Sequence, residues 1–347
     1  MIDVGPCAGL GRRRIADRRM LVKTGLGMAL ALLLAAPVVA ESQAAKVYRI
    51  GFLGLSSAAD YAVNLQAFRQ GLRDLGYEEG KNISIEYRWA EGRDERLPAL
   101  AAELVRLNPD VLVTHATPGI RAAQQATFTI PIIMGTSADP VRLGFVKSLA
   151  RPGGNTTGVA SQLIDLAAKR LELLKEAVPN LRHVAVLSNL ANAVAREAVG
   201  ETEVAARKLA VRVRSFEVKR EPTELETVFT AILRERPDGL IVTPDSLIMG
   251  ARQASIVEFA ARNRLPAMGG ERRFVAAGGL ISYGNDFQEG WRVAARYVDR
   301  ILKGAKPAEL PIEQPTKFEL AINLKTAKRL GLTIPPSLLL RADQVTE

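Results

Sequence analysis

The sequence predicts an α/β protein made of two Rossmann-like lobes, each with a parallel sheet, and two observations carry that prediction. Short apolar runs of strand length alternate with amphipathic segments of helical spacing along most of the chain, the pattern of a sheet covered by crossover helices. One strand and loop is also written twice: residues 109–119 read PDVLVTHATPG and residues 237–247 read PDGLIVTPDSL. With 347 residues, 48% apolar and 24% charged, the chain has the length and composition for two such cores.

The elements follow in order. Residues 47–53 (VYRIGFL) form the first strand, after which Leu65, Phe68, Leu72 and Leu75 recur at helical spacing until Gly76. Residues 82–88 (NISIEYR) alternate as a strand. Leu97, Leu100, Ala101, Leu104 and Leu107 mark a helix face that Asn108-Pro109 ends, because proline disfavours helical geometry in the residue before it. Residues 111–114 are the next strand, Pro118 sits in the first turn of the next helix, and residues 131–135 are a fourth strand. The series then restarts, with a strand at 183–189 (HVAVLSN), a helix at 192–209, a strand at 211–218 and a helix at 223–236. RPDGLIVTP at 236–244 answers NPDVLVTHA at 108–116, and LPAMGG at 265–270 answers IPIIMG at 130–135. Correspondences in the same order predict a duplicated module with right-handed crossovers.

The first 45 residues belong to a different class. Arg12-Arg13-Arg14, Arg18-Arg19 and Lys23 precede an unbroken small and apolar run from residue 25 to 36, and Val38-Val39-Ala40 or Gln43-Ala44-Ala45 supplies a small-residue cleavage site. This is the pattern of a cleavable signal peptide, too short for the roughly 20 residues of a spanning helix. RRMLVK at 18–23 resembles a twin-arginine export signal, and a start at Met20 would leave a compact general-secretion signal instead. The only cysteine, Cys7, lies in this leader, so the mature chain has no disulfide, no thiolate metal ligand and no site for a lipid anchor. Residues 1–40 carry six of the 47 basic and two of the 37 acidic residues, which reduces the formal charge of +10 to a moderate excess without dense basic runs. Nucleic-acid binding is not expected.

In an open parallel sheet ligands bind outside the carboxyl ends of the strands, where helix N-termini present unpaired N–H groups. The two echoed stretches supply such ends: Thr114, His115 and Thr117 in one module, Asp245 and Ser246 in the other. If the modules face each other, these loops are the jaws of one cleft. Ser56, Ser57, Asp60 and Tyr61 follow the first strand, Asp139 follows the fourth in GTSADP, and Asn189 ends the first strand of the second module. Each of the small polar residues also suits a helix cap, Thr117 included. Tyr283, in LISYGND, is placed to stack on a ligand; His183, Trp89 and Trp291 read as structural. Asp60, Asp139, Asp245 and Glu271 suit an ammonium, and Arg121, Arg142 or Arg272 a carboxylate, which points to an amino acid or related zwitterion. The mature chain has no HExxH, GxSxG, phosphate-loop lysine or GxGxxG motif, so neither an enzyme, a metal nor a cofactor is expected.

Several stretches carry a family resemblance: PGGNTTGV (152–159), KRLELLKE (169–176), GGLISYGND (278–286) and the long run RILKGAKPAELPIEQPTKFELAINLKTAKRLGLTIPPSLLLRAD (300–343). They resemble the substrate-binding components of a group of bacterial ABC transporters that includes tryptophan and tyrosine binders. The resemblance implies a type I periplasmic-binding-protein fold whose lobes are joined by a three-segment hinge. Lobe I would take residues 46–157 and 285–320, lobe II residues 158–284, with 321–347 packing on the lobes. Hinges are expected at Thr157-Gly158, at residues 282–285 and at residues 307–315. Ligand contacts map onto Ser56, Ser57, Tyr61, Thr114, Thr117, Asp139, Asn189, Asp245 and Tyr283. The implied function is to bind a small solute in the periplasm, as a monomer, and deliver it to a membrane permease driven by a separate ATPase. A ligand-sensing domain for a receptor would share this fold, and an α/β enzyme is a further alternative. A sugar-responsive transcription regulator would need a DNA-binding N-terminus in place of the apolar leader.

Overall fold

The computed structural model describes residues 46–219, 224–249 and 252–347. The expected leader, its cleavage sites and the alternative start at Met20 lie outside the described residues. Among the described residues no helix is long and apolar enough to cross a membrane.

The first half runs β1 (Tyr48–Gly54), α1 (Ala62–Asp74), β2 (Ile83–Trp89), α2 (Leu97–Arg106), β3 (Val111–Thr114), α3 (Ala116–Ala126), β4 (Ile132–Ser137) and β5 (Thr156–Ala160). Its five strands pair in parallel in the order β2-β1-β3-β4-β5. The second half runs α4 (Leu166–Ala177), β6 (His183–Ser188), α5 (Ala193–Lys208), β7 (Arg212–Glu217), α6 (Glu224–Arg234), β8 (Gly239–Val242), α7 (Ser246–Met249), α8 (Arg252–Arg262), β9 (Ala267–Gly269), α9 (Arg272–Ala276) and β10 (Ile281–Asn285). There follow α10 (Phe287–Leu302), β11 (Phe318–Asn323), α11 (Leu324–Leu330), α12 (Pro336–Leu339) and β12 (Gln344–Thr346). The second sheet is ordered β12-β11-β10-β9-β8-β6-β7, and only the β10–β11 pair is antiparallel. Both halves therefore share one strand order, as the echoed sequences predict.

The echo itself has a structural cause. Asp110 accepts a hydrogen bond from the Arg49 backbone N–H at 2.8 Å, and its own N–H donates to the Arg49 carbonyl at 2.8 Å. Asp238 repeats this in the second sheet, accepting from the His183 N–H at 2.9 Å and donating to the His183 carbonyl at 2.7 Å. The Pro-Asp pair thus locks the third strand of each module beside its first. The residues before these prolines, Asn108 (φ 48°) and Arg236 (φ 49°), are both left-handed, so the helices end in a tight turn rather than in the extended geometry usual before proline.

The chain leaves the first sheet after Ala160, leaves the second after Asn285, and re-enters the second at Phe318. Between these last two points α10 packs back on the first half. Asp286 caps it, accepting from the Glu289 N–H at 3.0 Å, and it buries Trp291, Ala294, Tyr297 and Val298 in the core under β1, β3 and α1. Small residues let the helices approach closely, since a Cβ on Gly71 of α1 would stand 2.8 Å from that of Ala295. Residues 318–346 stay with the second sheet, where β12 forms its far edge. Two segments that are distant in sequence thus complete each half, which the repeat alone does not reveal.

Candidate functional site

In the strand order 2-1-3-4-5 the switch point lies between the first and third strands, and loops leaving the strands there diverge to open a crevice. The equivalent gaps here are β1/β3 and β6/β8. A cavity of about 110 Å³ lies where the two crevices face each other, lined from the first half by Ser56, Tyr61, His115, Thr117 and Ser137, and from the second by Ser161, Asn192, Asp245, Glu271 and Arg273.

One wall is aromatic. The rings of Tyr61 and His115 stack 4.3 Å apart at 21°, and Trp291 meets both edge-on, at 5.5 Å and 5.8 Å. Burial without a hydrogen-bonding partner on Nε2 pushes the His115 pKa down to about 3, so the ring is neutral and acts as an apolar surface. Burial likewise raises the Tyr61 phenol well above its ordinary value. The opposite wall is ionic. Glu271 is only 6% exposed; the Arg273 guanidinium stands 3.0 Å from its Oε1 and donates to its Oε2 at 3.3 Å. Burial raises the Glu271 pKa, and Arg273 opposes that shift. Arg273 also donates to the Asp60 carbonyl at 3.2 Å, and Arg142 meets Glu197 at 2.5 Å, so two arginine contacts tie the lobes across the cleft.

Of the predicted residues, Ser56, Asp60, Tyr61, His115, Thr117, Asp245 and Glu271 line this cavity, and the others do not. Ser57 turns to Asp60, donating to its carboxylate at 2.8 Å. Thr114 is fully buried and donates to the Leu53 carbonyl at 3.0 Å. Asp139 accepts from the Arg142 N–H at 3.0 Å and lines a neighbouring chamber of about 300 Å³. Asn189 donates to Asp245 at 3.1 Å and so positions a lining residue. Ser246 opens α7, and its side chain is outside the described residues. Tyr283 packs against Phe318, 6.1 Å away on the antiparallel neighbour strand, and is no part of the cavity wall. Thr117 lies inside α3 and caps nothing; His115 is the N-cap residue. Of the expected cations, Arg121 lies over the Phe145 ring and Arg142 is taken by Glu197. The cavity is served instead by Arg273, the neighbour of the expected Arg272.

The residues missed are Asn64, Ser137, Ser161, Asn192, Arg273 and Phe287. Ser137 stands in the GTSADP loop already singled out, and Asn192 carries the signal of a cap, which it is, accepting from the Val194 N–H at 3.1 Å. Arg273 has no motif; it reaches the cavity only because α9 starts at the end of β9.

The model of the ABC transporter substrate binding protein family matches residues 56–346. The chain belongs to this family. Among curated relatives of this ABC substrate-binding protein, the tyrosine-binding protein of Clostridioides difficile is 29% identical over 272 residues, 77% of this chain and 76% of that protein. Among solved structures, the ABC domain in complex with L-Trp from Streptococcus pneumonia has a TM-score of 0.79 and 28% identity, covering 86% of this chain and 100% of that one. A conserved domain protein from Vibrio cholerae has a TM-score of 0.80 and 29% identity over 87% and 100%. The expected family and the two-lobed type I periplasmic-binding-protein fold are therefore both found, and the chain is a solute-binding component of an ABC transporter.

The neutral His115 makes the stability of this substrate-binding protein depend on pH. The unfolded chain takes up a proton below about pH 6.5, whereas the folded one refuses it until about pH 3. This contribution is thus present above pH 6.5 and is lost as pH falls through that window. Glu271, whose pKa is raised, works in the opposite sense but is shared with a His115→Gln variant. Between pH 7 and pH 5 the wild type should lose about 2 kcal/mol more stability than His115→Gln. Parallel urea-unfolding profiles for the two proteins would show that His115 is not buried neutral.

Proposed function

We propose that this chain is the extracytoplasmic binding component of an ABC importer for a zwitterionic solute with an aromatic side chain, of which tryptophan and tyrosine are the models. On this reading the leader directs export to the periplasm. The monomer closes on its ligand, and a membrane permease with a separate ATPase receives it. No bond is made or broken in the protein itself.

One observation carries the ligand class: a single cavity joins an aromatic wall, Tyr61 on His115 backed by Trp291, to an ionic wall of Glu271 and Arg273. An apolar cavity of roughly 150 Å³ admits a benzene ring alone, so at about 110 Å³ the cleft has to widen to take a planar ring with a charged head. The relatives named for tyrosine and bound to L-Trp support the same reading. Closure follows from differential affinity: a solute touching both lobes binds the closed form better and shifts the population toward it.

Thermal-shift measurement on the purified protein tests this. L-Trp or L-Tyr at one hundred times its dissociation constant should stabilise the fold by about 2.7 kcal/mol, with ribose and myo-inositol giving nothing. A flat response to both aromatic amino acids, alongside a shift with a sugar, would replace the proposed solute class.

A further inference from the structure

We infer that Glu271 and Arg273 together read the head group of the ligand, Glu271 taking the α-ammonium and Arg273 the α-carboxylate. The inference rests on the zwitterion reading above and assigns it to two side chains.

The cavity leaves few alternatives for the ammonium. Its lining carboxylates are Asp60, Asp245 and Glu271. Asp245 is already satisfied: Oδ1 accepts from the Asn189 amide at 3.1 Å and the Leu247 N–H at 2.9 Å, and Oδ2 accepts from the Asn192 amide at 2.8 Å. Asp60 is exposed and holds the Ser57 hydroxyl. Glu271 is buried, yet its Oε1 accepts no well-formed hydrogen bond, although the Arg273 guanidinium stands 3.0 Å away. A buried carboxylate oxygen without a directed donor is costly, and an ammonium placed beside it would remove that cost.

For the carboxylate, Arg273 is the only lysine or arginine among the described residues lining the cavity. It donates to Glu271 and to the Asp60 carbonyl, and a guanidinium has five N–H donors in a fork that fits a carboxylate. The other polar possibility, the N-terminal turn of α3 at Ala116 and Thr117, offers partial charge and no full one.

Charge arithmetic favours a zwitterion over either half of one. The buried pair is neutral, and a zwitterion set against it in the antiparallel sense completes an alternating ring of four charges, again neutral. A lone amine or a lone acid would bring one unmatched charge against the same buried pair, which burial penalises. Because Arg273 belongs to the second lobe and holds the Asp60 carbonyl of the first at 3.2 Å, the residue that reads the carboxylate also spans the cleft. Head-group recognition and closure would then share one side chain.

Isothermal titration with L-tryptophan, tryptamine and indole-3-propionate against the wild type, Glu271→Gln and Arg273→Gln tests the assignment. Glu271→Gln should weaken L-tryptophan by about 10- to 100-fold, as expected for a lost hydrogen bond to a charged group, and bind indole-3-propionate at least as tightly as the wild type, because Arg273 is then left without its carboxylate partner. Arg273→Gln should weaken L-tryptophan by a similar factor and bind tryptamine at least as tightly as the wild type, because Glu271 is then left without its guanidinium partner. The analogue each variant still binds shows that it is folded. If either variant weakens all three ligands equally, or weakens none, the assignment is wrong. If the wild type binds a non-aromatic amino acid in place of L-tryptophan, the aromatic reading fails alone, and the same cross is run with that amino acid, its amine and its deaminated acid. If it binds no α-amino acid, both fail.

Discussion

Replacing Trp291 with alanine should cost the protein about 3–5 kcal/mol, the range for removing a large buried aromatic side chain. Trp291 is fully buried. It lies on α10, which follows β10 of the second lobe in the sequence, but its indole fills the core of the first, where Phe52, Phe68, Tyr61 and His115 have ring centres 5.5–5.8 Å away. The fit is close enough that a Cβ on Gly135 of β4 would stand 2.3 Å from the indole. Neighbours held on three strands and a helix cannot all move inward, so most of the vacated volume stays empty. A second effect follows at the site, because Trp291 supports the stacked Tyr61 and His115 from behind without lining the cavity itself. Ligand affinity should therefore fall along with the urea midpoint. Trp89→Ala, half-buried on the edge strand β2, should cost clearly less. A Trp291→Ala loss below about 1 kcal/mol would mean that the aromatic pile collapses to fill the space.

Much of this architecture is legible in the residues. The Pro-Asp echo predicts a duplicated module, and the duplicated strand order follows from it. The rule that ligands sit at carboxyl strand ends picks out His115, Thr117 and Asp245 before any coordinates are known. Tyr283 and Arg273 show where such reading stops. The position of Tyr283 depends on its antiparallel neighbour: Leu320 stands opposite it and Phe318 packs on its ring. Nothing in a pattern of alternating strands and helices indicates that the chain re-enters the second sheet in reverse. Arg273 faces the cavity because two lobes meet, and residues brought together only by that meeting have no local signature. The same holds for Arg170. It is fully buried in α4 and donates to the Tyr283 carbonyl at 2.8 Å and the Leu163 carbonyl at 3.1 Å, joining two of the three inter-lobe passages. With no carboxylate among its hydrogen-bonding partners, burial lowers its pKa to about 10, still high enough to keep the charge at neutral pH.

Gly284→Ala should be the most damaging single-methyl change in the second lobe, costing about 3 kcal/mol or more, the upper end of the range for overpacking. Gly284 is in β10, just before the chain leaves the second sheet. A Cβ there would lie 1.8 Å from the Gly270 carbonyl oxygen and 2.9 Å from its carbon. Those are backbone atoms, so no rotamer change relieves the clash, and only a separation of the two chain segments can. Separation is resisted from both sides, since β10 pairs with β9 on one edge and β11 on the other. It also disturbs the buried Arg170, whose Nη2 would be 3.6 Å from the new methyl, and so reaches the adjoining passage at Leu163. If the lobes close as proposed, these passages must return to one geometry, so the variant should bind its solute more weakly than its residual stability alone would predict. Gly200→Ala supplies the contrast. Gly200 lies within α5, and a methyl added there would meet nothing within 4 Å, so replacing this mid-helix glycine should stabilise by about 0.5–1 kcal/mol. Opposite signs for one added carbon, read from urea unfolding of the two variants, are expected if backbone contact at the hinge sets the cost. Equal and small effects would place the hinge elsewhere.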